Sequence, residues 1–257
     1  MTGTRISRLF RGARLAALLC LAPMVAGALE CREIPFRDIH ATVCHVDIRT
    51  DHLELFLNDP AGKPLNSFRR LVESLGPRGQ RLEFAMNAGM YREDYSPLGL
   101  YVVDGHEVHR INLASAKYGS FYLKPNGVFL LTASGARLVA SPDYAATKEP
   151  VKLATQSGPM LVQAGAINPL FDPNGTSKFV RNGVGVINSN QVVFAITTEP
   201  VNFHTFASLF RDELKCSDAL YLDGSISSMY VRSLGRDDEW AALGPMIGVT
   251  VPATPPR

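Results

Sequence analysis

Asp223 closes the apolar run Ala219–Leu222 and opens onto a glycine and three serines in "YLDGSISSMY". A carboxylate at the exit of a buried strand is placed for acid–base work or for attack on carbon. Three other apolar runs end in a similar way: "EFAM" on Asn87-Ala88-Gly89, "VKLAT" on Gln156-Ser157-Gly158-Pro159, and "VVFAITT" on Glu199-Pro200. Each sets a polar side chain beside residues that permit tight backbone geometry, and four such ends in one small chain point to a shared cleft. In that cleft Asp223 and Glu199 are expected as a carboxylate pair acting at a sugar carbon. Arg181, in "SKFVRNGVGV", is expected to hold a phosphate by paired hydrogen bonds. Asn87 and Gln156 are expected to orient sugar hydroxyls. The competing structural readings are a turn aspartate, a rim arginine and a strand-end glutamate.

Other chemistries fit the residues less well. His106, Glu107 and His109 have the composition of a metal motif, but strand residues three apart face opposite ways, so they read as hairpin decoration. Gly224-Ser225-Ile226-Ser227 lacks the second glycine of a nucleophile elbow. "DPNGTS", Asp172 to Ser177, has oxygen ligands without EF-hand spacing and reads as a turn. There is no Gly-Lys-Ser/Thr phosphate loop. No metal and no cofactor are expected.

The elements that would carry these residues are mostly strands. "ATVCHVDI" and "LELFL" read as a hairpin across Arg49 to His52, and "GLYVVDGHEVHRI" as another with Asp104-Gly105 at its tip. "FYLKPNGVFLLTASGARLVA" reads as strands broken at Pro125-Asn126-Gly127 and Ser134-Gly135. "GVGVINSNQVVFAITT" is a hairpin turning at Asn188 to Asn190, and "PMIGVTV" a closing strand. Helical spacing appears at Phe68, Leu71, Val72 and Leu75, with Asn66 or Ser67 as cap. It recurs at Phe203, Phe206, Ala207, Phe210 and Leu214, after Asn202. The expected fold is α+β: a single domain, residues 29–257, with a largely antiparallel mixed sheet system and a few packed helices.

Residues 1–28 read as a signal peptide: Arg5, Arg8, Arg11 and Arg14, then the apolar Leu15–Val25, then Ala26-Gly27-Ala28. Leu19 precedes Cys20, which argues against a lipoprotein site, and the apolar segment is too short for an ordinary transmembrane helix. The expected location is periplasmic or secreted, without stable membrane insertion after cleavage. The whole-chain net charge of +2 owes its sign to the removed arginines, and no basic stripe remains to bind nucleic acid. Cys31 and Cys44 lie close together near the new N-terminus, where an oxidising compartment favours a disulfide. Cys216 reads as a buried free thiol.

Four motifs occur in a familiar order: "NAGMY" from Asn87, "QSGPMLV" from Gln156, "RNGVGV" from Arg181 and "YLDGSISSMY" from Tyr221. Together, over about Phe84 to Val251, they resemble the phosphodiester glycosidase family. That family includes a lysosomal enzyme that removes N-acetylglucosamine from a sugar phosphodiester, and many exported bacterial proteins. The resemblance implies that Asn87, Gly89, Ser157, Gly158, Arg181, Gly185, Asp223, Gly224 and Ser227 occupy the family's site motifs, with Glu199 near an acidic position. The lysosomal branch has consecutive glycines where this chain has Ser225 and Ile226. The functional expectation is an exported hydrolase acting on a carbohydrate phosphodiester; the rival is a glycan-binding protein that reuses the same cleft without turnover.

Overall fold

The computed structural model describes residue 1 and residues 29–253, apart from 145, 147 and 148. The expected signal segment lies outside the described residues. The chain folds into three sheets in which every described strand pair is antiparallel. A seven-stranded sheet holds Glu30–Phe36, Ile39–Asp47, Gln191–Thr197, Asn182–Asn188, Asp218–Tyr221, Met160–Gln163 and Ala166–Ile167, in that spatial order. A second sheet of five strands is built around Gln80–Asn87 and Met246–Pro252, and a third around Val151–Ser157 and Gly127–Thr132.

The strand Gln191–Thr197 shows how the layers form. It is buried on both faces after Gln191, and alternate side chains point opposite ways. Val192, Phe194 and Ile196 enter the core between the three sheets, whereas Val193 and Ala195 enter a second core under the helical segment near 203–214. Phe194 marks the meeting point, with ring centroids 5.0 Å from Phe84 and 6.3 Å from Phe129. The neighbouring "NGVGV" follows the same alternation. Val184 and Val186 face the inter-sheet core, while a Cβ on Gly185 would overlap Cys216 Sγ and meet Phe210 Cδ1 at 2.7 Å. Gly185 is therefore a packing glycine that lets the helical layer approach the sheet.

Helix Phe68–Leu75 begins at Ser67, whose Oγ accepts from Arg70 N at 3.2 Å. It buries Phe68, Leu71 and Leu75, but Val72 is exposed. Asn202 caps helix Phe203–Ser208 by accepting from Thr205 N at 2.8 Å, and the turn widens into a π-helical stretch over Leu209–Glu213.

One expected hairpin does not form. Ile39–Asp47 pairs with Glu30–Phe36 and Gln191–Thr197, whereas His52–Phe56 pairs with Met246–Pro252. The turn between them is real, closed by Thr50 N and Asp51 N on Asp47 O, but it passes the chain from one sheet to another. "FYL" is also not a strand; Ser120–Tyr122 is a single 3₁₀ turn. The hairpins at Asp104-Gly105, Ser134-Gly135 and Asn188–Asn190 form as expected. Asp104 and Gly105 have φ of 49° and 80°, the left-handed pair that a two-residue hairpin turn requires. "PMIGVTV" supplies an inner strand, between Gln80–Asn87 and His52–Phe56.

Candidate active site

Asp223 sits where the chain leaves the seven-stranded sheet after Asp218–Tyr221 and crosses to Met229–Val231 in the second sheet. Buried amides and hydroxyls hold this crossing at both ends. Asn87 Nδ2 donates to Asp223 O at 3.0 Å, and Asn87 Oδ1 accepts from Ser228 N at 2.8 Å. Asn182 Nδ2 donates to Asn87 Oδ1 at 2.9 Å, Ser157 Oγ to Leu222 O at 2.9 Å, and Ser227 Oγ to Val180 O at 3.0 Å. Asn87, Ser157, Asn182 and Ser227 are all buried. They shape the loop, and Asn87 has its polar atoms committed to that task.

The Asp223 carboxyl is half-buried, with Oδ1 accepting from Ser225 N at 3.1 Å. Burial pushes its pKa above the usual carboxylate range, against the opposing pull of the Ser225 N–H. Its charge in turn helps burial raise two phenols, Tyr91 and Tyr221, each pushed up to about 12. Asp223 therefore lies in the neighbourhood of both rings.

A cleft of about 370 Å³ opens beside this loop. Its wall includes Gly224, Ser225, Arg181, Tyr221, Phe203 and Phe179, and Lys117 and Tyr118 come from the segment opposite. Arg181 is 1 % exposed, a rare state for an arginine. Nε donates to Val201 O at 2.8 Å and Nη2 to Ser177 O at 3.1 Å. The guanidinium stacks 3.7 Å from the Phe203 centroid, with Tyr221 at 5.3 Å and Phe179 at 5.5 Å. Burial lowers its pKa, opposed by the Tyr221 oxygen. Among the described residues no carboxylate forms an ion pair with it. A buried cation without a counter-charge is costly, and an anion entering the cleft would relieve that cost.

The structure separates the remaining candidates. Gly224 permits the loop's close approach, since a Cβ there would overlap the Tyr221 hydroxyl. Gly89 and Gly158 serve packing: an added Cβ would overlap Gln156 O at Gly89 and meet Asn126 Cβ at 2.6 Å at Gly158. Gln156, expected to orient sugar hydroxyls, does not reach the cleft. Its Oε1 accepts from Leu100 N and Asn112 N, both at 2.9 Å, and its Nε2 donates to Asn112 O at 2.7 Å and Ser141 Oγ at 2.9 Å. No carboxylate lines the Arg181 cleft among the described residues, so the expected Asp223–Glu199 pair is not assembled there. Glu199 is half-exposed and binds His40, through Nδ1 at 3.0 Å and the backbone N at 2.8 Å. Those bonds hold its carboxyl below the usual range. Ser225 lines the cleft, but Ile226 packs against the Phe68 cluster. Of the hairpin histidines, His106 is exposed, while His109 lies against Arg92 Nη1 at 2.8 Å and Arg110 O at 3.0 Å. Among the described residues no group of His, Cys, Asp or Glu is arranged to hold a metal ion.

Sequence reasoning missed Asn182, Tyr221, Phe203, Ser177 and Lys117. Asn182 was visible as a polar residue entering a glycine–valine strand beside Arg181. The aromatic walls carried no local signal, because Phe203 reads as a helix core position until the fold brings it over Arg181.

Residues 80–250 match the phosphodiester glycosidase family. The chain belongs to that family. A relative in Escherichia coli K12, the uncharacterized protein YigE, is 33 % identical over 219 residues, covering 85 % of each chain. The catalytic domain of zebrafish N-acetylglucosamine-1-phosphodiester alpha-N-acetylglucosaminidase, auto-inhibited by its pro-peptide, superposes with a TM-score of 0.59 at 14 % identity, over 90 % of this chain and 84 % of that one. A hypothetical protein from Synechocystis gives 0.51 at 13 % identity, over 87 % and 62 %. These structural likenesses show that the three-sheet fold is shared.

Proposed function

We propose that this protein is an exported hydrolase that releases a sugar from a sugar-1-phosphodiester in an envelope or extracellular glycan. The observation that carries the reading is Arg181, a buried guanidinium in a cleft wall with no carboxylate partner among the described residues, stacked on Phe203. A phosphodiester supplies the missing anion, and Arg181 binds it and stabilises the charge that grows as the phosphate departs. Asp223, the residue just before the cleft-lining Gly224 and Ser225 on the crossing loop, acts as the base from the edge of the cleft. Water attacks the anomeric carbon, its proton passes to the Asp223 carboxylate, and the bond from that carbon to the phosphate oxygen breaks. The products are a free sugar and a phosphomonoester. A phosphate leaves readily without a strong acid to protonate it, so one carboxylate and one cation suffice where an ordinary glycoside needs two carboxyl groups. A carboxyl whose proton affinity is raised by burial suits a base.

Family membership supports the reaction class, and the zebrafish relative is named for a substrate of this kind. The basic–apolar–small pattern of residues 1–28 and the Cys31–Cys44 disulfide support export. Among the described residues no helix is long and apolar enough to cross a membrane. The test is sugar release from a panel of sugar-1-phosphodiesters by wild type, Arg181→Lys and Glu199→Gln, with thermal melts of each. Glu199→Gln should stay active, since its carboxylate is engaged with His40 outside the cleft. A large loss in that variant with an unchanged melt would return Glu199 to the reaction.

A further inference from the structure

We propose that the cleft beside Trp240 is a second carbohydrate site, built for a neutral sugar ring rather than for a phosphate. This cleft has a volume of about 470 Å³, and Glu33, Thr197, Thr198, Arg236, Asp238 and Trp240 are among its lining residues. Trp240 is the only tryptophan of the chain, and it is 61 % exposed. Its indole Nε1 donates to Ser227 O at 3.2 Å, which fixes the ring while leaving most of it in water. A fixed aromatic surface at a concave, polar site gains free energy when an apolar face covers it. A pyranose ring offers such a face of C–H groups, with hydroxyls around its edge for the neighbouring side chains.

The charges of the lining decide against a phosphate. The only cation among the lining residues, Arg236, is already matched: Nε and Nη2 donate to Asp238 Oδ2 at 3.0 and 2.8 Å, and Nη1 to Thr42 Oγ1 at 2.7 Å. Glu33 then leaves the cleft with a net negative balance. Threonine hydroxyls and carboxylate oxygens are partners for sugar hydroxyls, whereas an anion would meet repulsion. The Arg181 cleft has the opposite character.

The two clefts flank the same two chain segments. Phe179 and Arg181 line the phosphate-type cleft and Val180, between them, lines this one. Gly224 and Ser225 line the first and Ser227 the second. The second site thus holds a sugar unit independently of Arg181.

A single tryptophan makes the test specific, because emission excited to the red of the tyrosine absorption band reports on Trp240 alone. Emission of the mature protein is followed during titration with maltotriose and with the trimer of N-acetylglucosamine, each to about 10 mM, a range that captures millimolar affinity. The expected result is a saturable, blue-shifted change with at least one trimer, the same in Arg181→Lys, and no change with inorganic phosphate. By calorimetry, Trp240→Ala should bind that trimer at least ten-fold more weakly while melting at the wild-type temperature. The proposal is overturned if neither trimer alters emission or gives heat, if Trp240→Ala binds as wild type, if phosphate produces the emission change, or if Arg181→Lys abolishes it. Because the Arg181 variant is an arm of the titration, failure here is distinguishable from failure of the hydrolase reading.

Discussion

At the scale of the residue, two groups carry charge in places that disfavour it. Folding raises the pKa of Asp223 through burial, so the folded chain binds that proton more tightly than the unfolded chain does. The associated stabilisation is complete below the ordinary value of 3.8 and is lost as pH rises through the folded value. At neutral pH the ionised carboxylate is therefore a net cost to the fold. Asp223→Asn, which keeps an oxygen for Ser225 N–H, should melt at or above the wild-type temperature at pH 7, and the difference should close as pH falls below about 4. A wild type that melts higher than the variant at pH 7 would mark a structural aspartate. Arg181 is the complementary case. Lysine cannot reproduce the planar contacts to Val201 O and Ser177 O or the stack on Phe203. Arg181→Lys should lower kcat/KM toward a sugar-1-phosphodiester by about ten-fold or more. Both residues were legible in the sequence, because a charged side chain is conspicuous at the end of an apolar run, as Asp223 is, or ahead of a Gly-rich one, as Arg181 is. Their roles were less so: the guanidinium's lack of a counter-ion depends on three-dimensional neighbours.

At the scale of the element, strand ends proved to be of two kinds. "EFAMN" and "YLD" converge on the crossing loop, joined by the Asn87 side chain. "VKLATQS" divides its work: Ser157 reaches Leu222 O at the start of the loop, whereas the Gln156 amide turns inside the protein and ties its strand to Leu100, Asn112 and Ser141 by four hydrogen bonds. The sequence could not separate the two, since a polar residue after an apolar run looks the same whether its partners are backbone groups or a ligand. Gln156→Ala strands several buried donors and acceptors, and it should lower unfolding free energy by about 3 kcal/mol in denaturant titrations. Gly89→Ala should cost a similar amount, roughly 1–3 kcal/mol, because its methyl would press on Gln156 O and Thr155 Oγ1. A Gln156→Ala protein of wild-type stability but poor turnover would restore the substrate-binding reading. The helices were legible almost to the capping residue, because Ser67 and Asn202 precede clear apolar spacing.

At the scale of the whole molecule, period-two patterning revealed most strands, but it did not say which sheet each would join. The failed hairpin at 39–56 shows why. A tight turn specifies a reversal of chain direction, while partner choice rests on which neighbours cover each face. The N-terminal edge strand Glu30–Phe36 is joined to the sheet by the Cys31–Cys44 disulfide across directly paired residues, 13 positions apart in sequence. A loop of that size contributes about 3 kcal/mol, so reduction should lower the unfolding free energy by that order, measured by denaturation with and without reductant. Unchanged stability on reduction would mean that the strand is held by its hydrogen bonds alone. The fold, the buried Arg181 and the raised pKa of Asp223 support the central proposal, that this chain cleaves the bond between an anomeric carbon and a phosphodiester. The direct measurement is free sugar released from defined sugar-1-phosphodiesters by the purified protein, with Asp223→Asn beside it. Wild-type turnover is expected on at least one member, with a fall of about 100-fold or more in the variant at an unreduced melting temperature. Full turnover by Asp223→Asn, or none by the wild type across the panel, would contradict it.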